Sequence, residues 1–270
     1  MPEVDWSRMK AQELRERAAA GAVVILPIAS IEQHGPHLPV MTDTRLGHEV
    51  ALRAARKAYP SRPTVVTPVV WSGLSEHHMP FGGTLTLSHE TFRRLVHDLI
   101  ISVVRHGFRD VLISNSHGGN IIAMQQIADE LASKVDATIV ATTYVAEAAD
   151  AIGQFLDDQA GVQHACEGET SMMMVCEPDL VDASDLAALG TERIGFLKAG
   201  QNSYRWRPFT HTTGNGVSGI PEKATAEKGE RILEAAAKAI AALIAAPETW
   251  APANDLRGEG TGGVPFRDRG

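Results

Sequence analysis

Four short apolar segments along the chain are typical of buried strands. They lie at residues 21–30, 64–71, 110–116 and 137–145. A continuous apolar run of this length, rich in β-branched residues, is typical of a strand that is covered on both faces. The segments between and after these runs predict helices at residues 6–20, 43–58, 89–107, 121–135, 165–178 and 223–246.

The strands and helices alternate along the chain, which predicts a parallel sheet covered by helices and therefore a layered α/β fold. We find no internal repeat and no clear linker, so we predict a single domain over residues 1–246. Residues 247–270 are rich in proline and glycine. They predict an irregular C-terminal tail on the surface.

The composition and the charge of the chain argue against several classes of function. The 270 residues carry a formal net charge of −8, which argues against a nucleic-acid partner because such a partner calls for a basic surface. The N-terminal segment lacks an apolar signal region, and no apolar run approaches the roughly 18 residues of a membrane span. Two cysteines do not make a disulfide framework. We therefore expect a cytoplasmic protein without a membrane partner.

Histidine and carboxylate side chains follow the carboxyl end of every predicted strand. Ligands of open α/β sheets bind beyond these ends, so we expect the side chains to converge at one edge of the sheet. In strand order, these side chains and two neighbouring serines are Glu32, His34 and Asp43; Ser75, Glu76, His77 and His78; Ser116 and His117; and His164, Glu167 and Glu169.

This mixture of side chains predicts a metal site. Glu32 and His34 are two positions apart in an extended segment, so their side chains lie on the same side. Imidazole and carboxylate ligands together suit Zn²⁺, Mn²⁺ or Fe²⁺ better than Mg²⁺. The two oxygens of Asp43 could bridge two ions about 3.5–4 Å apart, the spacing of two-metal hydrolytic sites.

Three further features leave alternatives open. Gly82 and Gly83 either supply a turn with positive φ or let the backbone approach a ligand closely. Asn120 of the sequence HGGN is expected to cap a helix. Cys166 is either a further metal ligand or, as we expect, a small buried residue. Without a G-x-S-x-G motif, a serine or cysteine nucleophile is disfavoured.

Five segments together resemble the creatininase family: PIASIEQHGPHLPVMTD, GLSEHHMPFGGTLTL, SNSHGGN, HACEGETSMMM and GVSGIPEKATAEKGERI. The resemblance covers roughly residues 20–240. It implies a three-layer α/β sandwich with a mostly parallel sheet. It also implies a binuclear hydrolase that uses zinc or manganese, and a homo-oligomer, often a hexamer.

The resemblance also implies which residues bind metal. Glu32, Asp43 and His117 match the ligands of one ion, and His34 and Asp43 match ligands of the second. Creatininase has a glutamate at the position of Gly119. Glu169 is therefore our candidate for the missing ligand.

The chain departs from creatininase itself in other places, which indicates an HGGN-type member of the family. Creatininase has a tyrosine at the position of Gly118. It also closes tryptophans over its substrate from the segment that corresponds to residues 150–163. Here Phe155 is the only aromatic residue of that segment. Its polar residues predict a polar lid and poor turnover of creatinine: Gln154, Asp157, Asp158, Gln159 and Gln163.

The predicted chemistry is attack of a metal-activated water on a carbonyl carbon, with His164 and Glu167 as candidates to carry the proton. Residues expected to contact the substrate are Ser75, Gly82, Gly83, Gly118 and Gly119. The first hypothesis for the substrate is a small polar cyclic amide or a formamide. The alternatives are a C–C bond in an oxidised inositol, creatinine itself, and a non-catalytic metal-dependent binding protein.

Overall fold

The computed structural model describes residues 2–157, 159, 161–189, 205–257 and 262–264. Its strands are β1 (Val23–Ile28), β2 (Thr64–Val66), β3 (Asp110–Asn115) and β4 (Thr138–Thr143). They form one parallel sheet in the order β2-β1-β3-β4. The predicted parallel sheet is therefore confirmed.

The α-helices of the described residues are α1 (Ala11–Ala19), α2 (Thr42–Ala58), α3 (His89–Arg105), α4 (Ile121–Ala132), α5 (Tyr144–Glu147), α6 (Ala149–Gly153), α7 (Glu167–Cys176) and α8 (Ala226–Ala245). Short 3-10 helices lie at Trp6–Arg8, Glu76–Phe81, Gly118–Asn120, Pro178–Leu180, Leu186–Leu189, Phe209–His211, Pro221–Lys223 and Pro247–Trp250. The short helices α5 and α6 were not predicted from the sequence. The helix predicted over residues 6–20 is in fact a 3-10 turn followed by α1.

Alternate residues of β1 face two separate hydrophobic clusters. Val23 and Ile25 pack with α2 and α8 on one face of the sheet. Val24 and Leu26 pack with α3 and α4 on the other face. All six residues of β1 are buried, as expected for a strand covered on both sides. The three-layer α/β sandwich is therefore confirmed.

Strand β2 is shorter than the run of residues 64–71 that predicted it. Pro68 follows shortly after Val66, and a proline has no N–H to donate to the neighbouring strand. Thr67 still donates its backbone N–H to the carbonyl of Ile25, and after Pro68 the contact with β1 resumes at Val70, which forms an isolated bridge with Ile28. The chain between them leads towards the edge of the sheet where the predicted site residues lie.

Helix α2 begins directly at that edge. Its first residue is Thr42 and its cap is Met41, whose side chain makes no capping bond. Asp43, which the sequence placed near the cap, therefore lies in the first turn. A carboxylate is favoured there because the helix dipole is positive at its N-terminus.

The segment after α8 begins with the 3-10 helix Pro247–Trp250. Trp250 is buried, and its Nε1–H donates to the carbonyl of Ile244 at 2.9 Å. Residues 251–257 and 262–264 have no regular secondary structure, so the tail that was predicted to be irregular begins with an ordered turn. Among the described residues, no helix is long and apolar enough to cross a membrane.

Helices α7 and α8 approach each other closely at Gly229. A Cβ atom at this position would lie 1.9 Å from the carbonyl oxygen of Ser171, so the close approach requires glycine. We predict that Gly229→Ala lowers the free energy of unfolding by about 1–3 kcal/mol, the usual cost of overpacking. Urea unfolding measures the change. Gly214→Ala, where a Cβ would meet nothing within 4 Å, is the control, and equal effects of both variants would contradict the prediction.

Candidate metal centre

Five predicted metal ligands converge at the carboxyl edge of the sheet, and all of them are buried. Two follow β1, one follows β3, one lies in the first turn of α2 and one in the first turn of α7. In that order they are Glu32 and His34, His117, Asp43, and Glu169. Parallel strands end at a common edge, which is why segments so distant in sequence meet there.

The carboxylate of Asp43 lies between two imidazole rings. Its Oδ1 is 3.2 Å from Nε2 of His34. Its Oδ2 is 3.1 Å from Nδ1 of His117. The two oxygens of one side chain thus face two different ligand groups, as a bridging carboxylate must.

Each side of Asp43 has a further carboxylate. On the His117 side, Oε2 of Glu32 lies 3.2 Å from Nδ1 of His117. On the His34 side, Oε2 of Glu169 lies 3.7 Å from Nε2 of His34. Each side therefore gathers two carboxylates and one imidazole, and Asp43 is common to both.

Backbone carbonyls fix the orientation of both rings. Nδ1 of His34 lies 3.0 Å from the carbonyl of Glu32, and Nε2 of His117 lies 3.1 Å from the carbonyl of Leu74. Because a carbonyl only accepts, these two nitrogens carry the protons. In the neutral rings the opposite nitrogens then present lone pairs to Asp43, an arrangement typical of metal-binding histidines.

The donor set fits divalent cations. Three buried atoms of the centre have no hydrogen-bond partner within the described residues: Glu32 Oε2, His34 Nε2 and Asp43 Oδ2. Burial alone would lower the pKa of His34, but the carboxylates of Asp43, Glu169 and Glu32 outweigh it and raise the pKa to about 10. The pKa of His117 is likewise raised by Glu32 and Asp43 against the effect of burial. The centre thus favours positive charge at both positions.

Glu169 is held by the backbone just before its helix. Its Oε2 accepts from the N–H of Ala165 at 2.5 Å. Ala165 has φ of 51°, a left-handed conformation that is uncommon for alanine. Burial raises the pKa of Glu169 to about 8, partly offset by the nearby His34.

The structure does not place Glu167 at the centre, which corrects its predicted role as a proton carrier. Its fully buried carboxylate lies 2.5 Å from Nζ of Lys228 and accepts from the backbone N–H of Asp157. Along a helix, positions two apart point to different sides. Glu169 therefore faces the centre while Glu167 faces α8.

His164, the other predicted proton carrier, does lie at the centre. Its Nε2 is 2.7 Å from the carbonyl of Gln33, so Nε2 donates and Nδ1 presents a lone pair. Nδ1 lies 3.4 Å from Oε1 of Glu32. Burial, together with the charges of His34 and His78, holds the pKa of His164 well below its usual range, which leaves the ring neutral.

The sequence placed His78 at this edge without assigning it a role, and it did not point to Phe209. His78 stacks near His164, with ring centroids 4.2 Å apart, and its Nε2 lies 3.6 Å from Glu32 Oε1. The ring centroid of Phe209 lies 4.4 Å from that of His78 and 4.9 Å from that of His164. The paired histidines of GLSEHH were a usable signal for His78. Phe209 had none, because it comes from a distant segment.

The residues predicted to bind substrate divide into two groups. Ser75 is buried behind His117, with its Oγ 3.1 Å from Nε2 of that ring, so it faces a ligand rather than open space. Gly82 and Gly83 have positive φ and are exposed, which agrees with a turn. Gly118 is exposed, whereas Gly119 packs against Leu74 and His117.

The predicted polar lid is largely engaged in contacts of its own. Phe155 packs under the guanidinium of Arg231 at 4.3 Å, and Asp157 pairs with Lys228 at 2.7 Å. Gln159 donates to the carbonyl of Gly161. Asp158 lies outside the described residues. The aromatic ring against the centre is Phe209, not Phe155.

A cysteine nucleophile does not fit the centre. Burial raises the pKa of Cys166 to about 11, which keeps its thiol protonated and unreactive at neutral pH.

The parallel sheet with helices on both faces is the layered α/β fold that the sequence predicted, and groups of side chains at its edge could hold a metal ion. A family model described as creatininase, creatinine amidohydrolase, matches residues 7–244. The chain therefore belongs to the creatininase family, whose members are hydrolases.

Similar proteins differ in activity. A mycofactocin precursor peptide peptidase of Mycobacterium ulcerans (strain Agy99) is 30% identical over 237 residues, covering 86% of this chain and 87% of that protein. A 3-dehydro-scyllo-inosose hydrolase of Thermotoga maritima is 28% identical over 259 residues, covering 86% and 79%. A crystal structure of creatinine amidohydrolase has a TM-score of 0.76 at 26% identity, covering 94% of this chain and all of that one. Solved creatininases include a Mn form and a Zn–Zn type.

The ion pair of Glu167 generates a stability prediction. We expect Glu167→Gln to lower the free energy of unfolding by about 1–3 kcal/mol, because it leaves the largely buried Lys228 without its buried partner. Denaturant unfolding measures the loss. Asp157→Asn is the control, since Asp157 contacts the same Lys228 from an exposed position and should matter less. A larger effect of Asp157→Asn would contradict the prediction.

Proposed function

We propose that the chain is a metal-dependent hydrolase that holds two divalent ions and cleaves an amide or formamide bond in a small polar, cyclic carbonyl compound. The observation that carries the proposal is the placement of Asp43, whose two oxygens face two separate imidazoles. Zn²⁺ or Mn²⁺ suits this donor set, and Fe²⁺ is the alternative.

The two proposed ligand sets share Asp43. Glu32 and His117 complete the first set, and His34 and Glu169 complete the second. Divalent ions held by these residues would supply Lewis acidity and would lower the pKa of a water towards neutrality. The ligands supply orientation, because backbone groups hold the rings of His34 and His117 and the carboxylate of Glu169 in place.

His164 is the proposed proton carrier. Its neutral ring presents Nδ1 to the centre, where it can accept a proton from the nucleophile and pass it to the leaving nitrogen. The bond to Gln33 keeps this nitrogen directed inwards. The adjacent His78 and Phe209 form one wall around it, so a substrate carbonyl would approach beside a flat, largely apolar surface.

Two kinds of relative support the amide bond as the first choice. A peptide peptidase and creatinine amidohydrolase are both named for cleaving C–N bonds. The inosose hydrolase supports the second candidate, cleavage of a C–C bond in an oxidised inositol by the same ligand sets. We further propose a small-molecule substrate and a cytoplasmic homo-oligomer, with neither nucleic acid nor membrane as a partner.

The bridging position of Asp43 predicts metal content. We expect the unmodified chain to hold two ions. Asp43→Ala should lower the affinity for both ions by at least about 100-fold, since removing even an outer hydrogen-bond partner of a ligand lowers metal affinity about 10–100-fold. Glu169→Gln should weaken only the second ion. Elemental analysis after dialysis against graded chelator measures occupancy.

Glu90→Ala is the matched control, because it removes an exposed carboxylate from the first turn of α3. It should leave both ions in place. Full occupancy in Asp43→Ala would refute the bridge, and loss of both ions in Glu169→Gln would refute the division into two sets.

Turnover by the metal-reconstituted protein tests the reaction. The panel is a formamidopyrimidine, a cyclic amide, a short peptide, a keto-inositol and creatinine. We expect an amide or formamide to reach a kcat/KM of about 10⁴ M⁻¹s⁻¹ or more and creatinine to be poor. His164→Asn should lower kcat about 10²–10⁴-fold while both ions stay bound. Efficient opening of the keto-inositol alone would instead establish the C–C alternative.

A further inference from the structure

Asn120 joins two segments that lead into the metal centre. It is fully buried. Its Oδ1 accepts from the backbone N–H of Leu74 at 3.0 Å, and its Nδ2 donates to the carbonyl of Ala29 at 3.0 Å. Its side chain makes no capping bond to α4, so the helix cap that the sequence suggested is not formed. The amide instead connects the end of β1 with the segment before Glu76.

Two glycines make room for this connection. A Cβ at Gly73 would lie 2.4 Å from the carbonyl oxygen of Ala29 and 2.6 Å from Oδ1 of Asn120. A Cβ at Gly119 would lie 2.2 Å from the carbonyl oxygen of Leu74. Both distances are far below contact, so any larger residue would displace the backbone or the amide. The sequences SGLS and HGGN therefore interlock.

The connection ends on a metal-capable ring. The carbonyl of Leu74, whose own N–H is held by Asn120, accepts from Nε2 of His117 at 3.1 Å. This bond places the lone pair of Nδ1 towards Glu32 and Asp43. A shift of Leu74 would therefore rotate the His117 ring away from Glu32 and Asp43. The side chain of Asn120 acts on the ring through Leu74, while its backbone N–H donates to the carbonyl of His117 at 3.2 Å.

We propose that Asn120 is a positioning residue for His117: through the Leu74 peptide, it sets the tautomer and the direction of the ring that binds the first ion. The inference rests on the proposed function, because it assigns an ion to the first ligand set. His34 is oriented separately, by the carbonyl of Glu32. The effect of Asn120 should therefore be confined to one of the two ions.

Titration with Co²⁺, followed by its visible absorption, separates the two ions. His117→Ala and His34→Ala provide the reference spectra for loss of the first and the second ion. We expect Asn120→Ala to lower the affinity for one ion about 10–100-fold, the usual effect of removing an outer hydrogen-bond partner of a ligand. The spectrum of the partly loaded variant should match that of His117→Ala.

Gly73→Ala is the second variant, because its added Cβ displaces the amide while Asn120 itself remains. It should give the same selective loss, so the proposal does not depend on the folding of one variant. Trp250→Phe is the stability control: it removes one buried hydrogen bond, to Ile244, far from the centre. Circular dichroism melts of all variants compare their stabilities.

Selective weakening of the His117 ion in either folded variant, with Trp250→Phe unchanged, supports the proposal. Unchanged affinity for both ions, or equal weakening of both in proportion to lost stability, would overturn it and leave the proposed function intact. Absence of Co²⁺ binding by the unmodified chain would overturn the proposed function, and this inference with it.

Discussion

The buried negative charge at the edge of the sheet is the constraint on which the rest of the site depends. Glu32, Asp43 and Glu169 are all buried, and within the described residues their ion-pair partners are histidines alone. Burying a carboxylate costs several kcal/mol unless a positive charge and hydrogen bonds compensate it. Protons on His34 and His117 compensate partly. Divalent cations would compensate more fully, because they bring more charge to the same lone pairs.

The layered fold holds these charged side chains together by keeping the ends of the strands in fixed positions. The paired strands β1 and β3 run in register from Val23 and Asp110 to Ile28 and Asn115, so their ends cannot move independently. Asn115 then binds both the N–H and the carbonyl of His117. Backbone groups thus hold His34, His117 and Glu169 in place, which helps the candidate ligands to stay together despite their like charges.

The sequence was sufficient for the parts of the site that follow strands directly. Glu32, His34 and His117 could be predicted because the end of a parallel strand fixes where the next residues lie. Glu167 and Glu169 could not be separated, since both lie in the first turn of the same helix and only its rotation decides which one faces inwards. Neither the position of Phe209 nor the short length of β2 could be predicted from the sequence. Phe209 comes from a distant loop, and the length of β2 depends on where Pro68 interrupts pairing.

The close packing around Gly119 bears on which segment can place a carboxylate beside His34. Leu74 approaches position 119 so closely that no side chain fits there, and the β3 loop therefore cannot supply a carboxylate to the second set. The further carboxylate beside His34 comes instead from α7, where Oε2 of Glu169 lies 3.7 Å from Nε2 of His34. Ala165, whose N–H donates to Glu169, adopts a left-handed conformation, a strain that surrounding structure must support. Helix α7, which carries Glu169, also packs closely against α8 at Gly229, so the packing of these two helices constrains where this carboxylate lies.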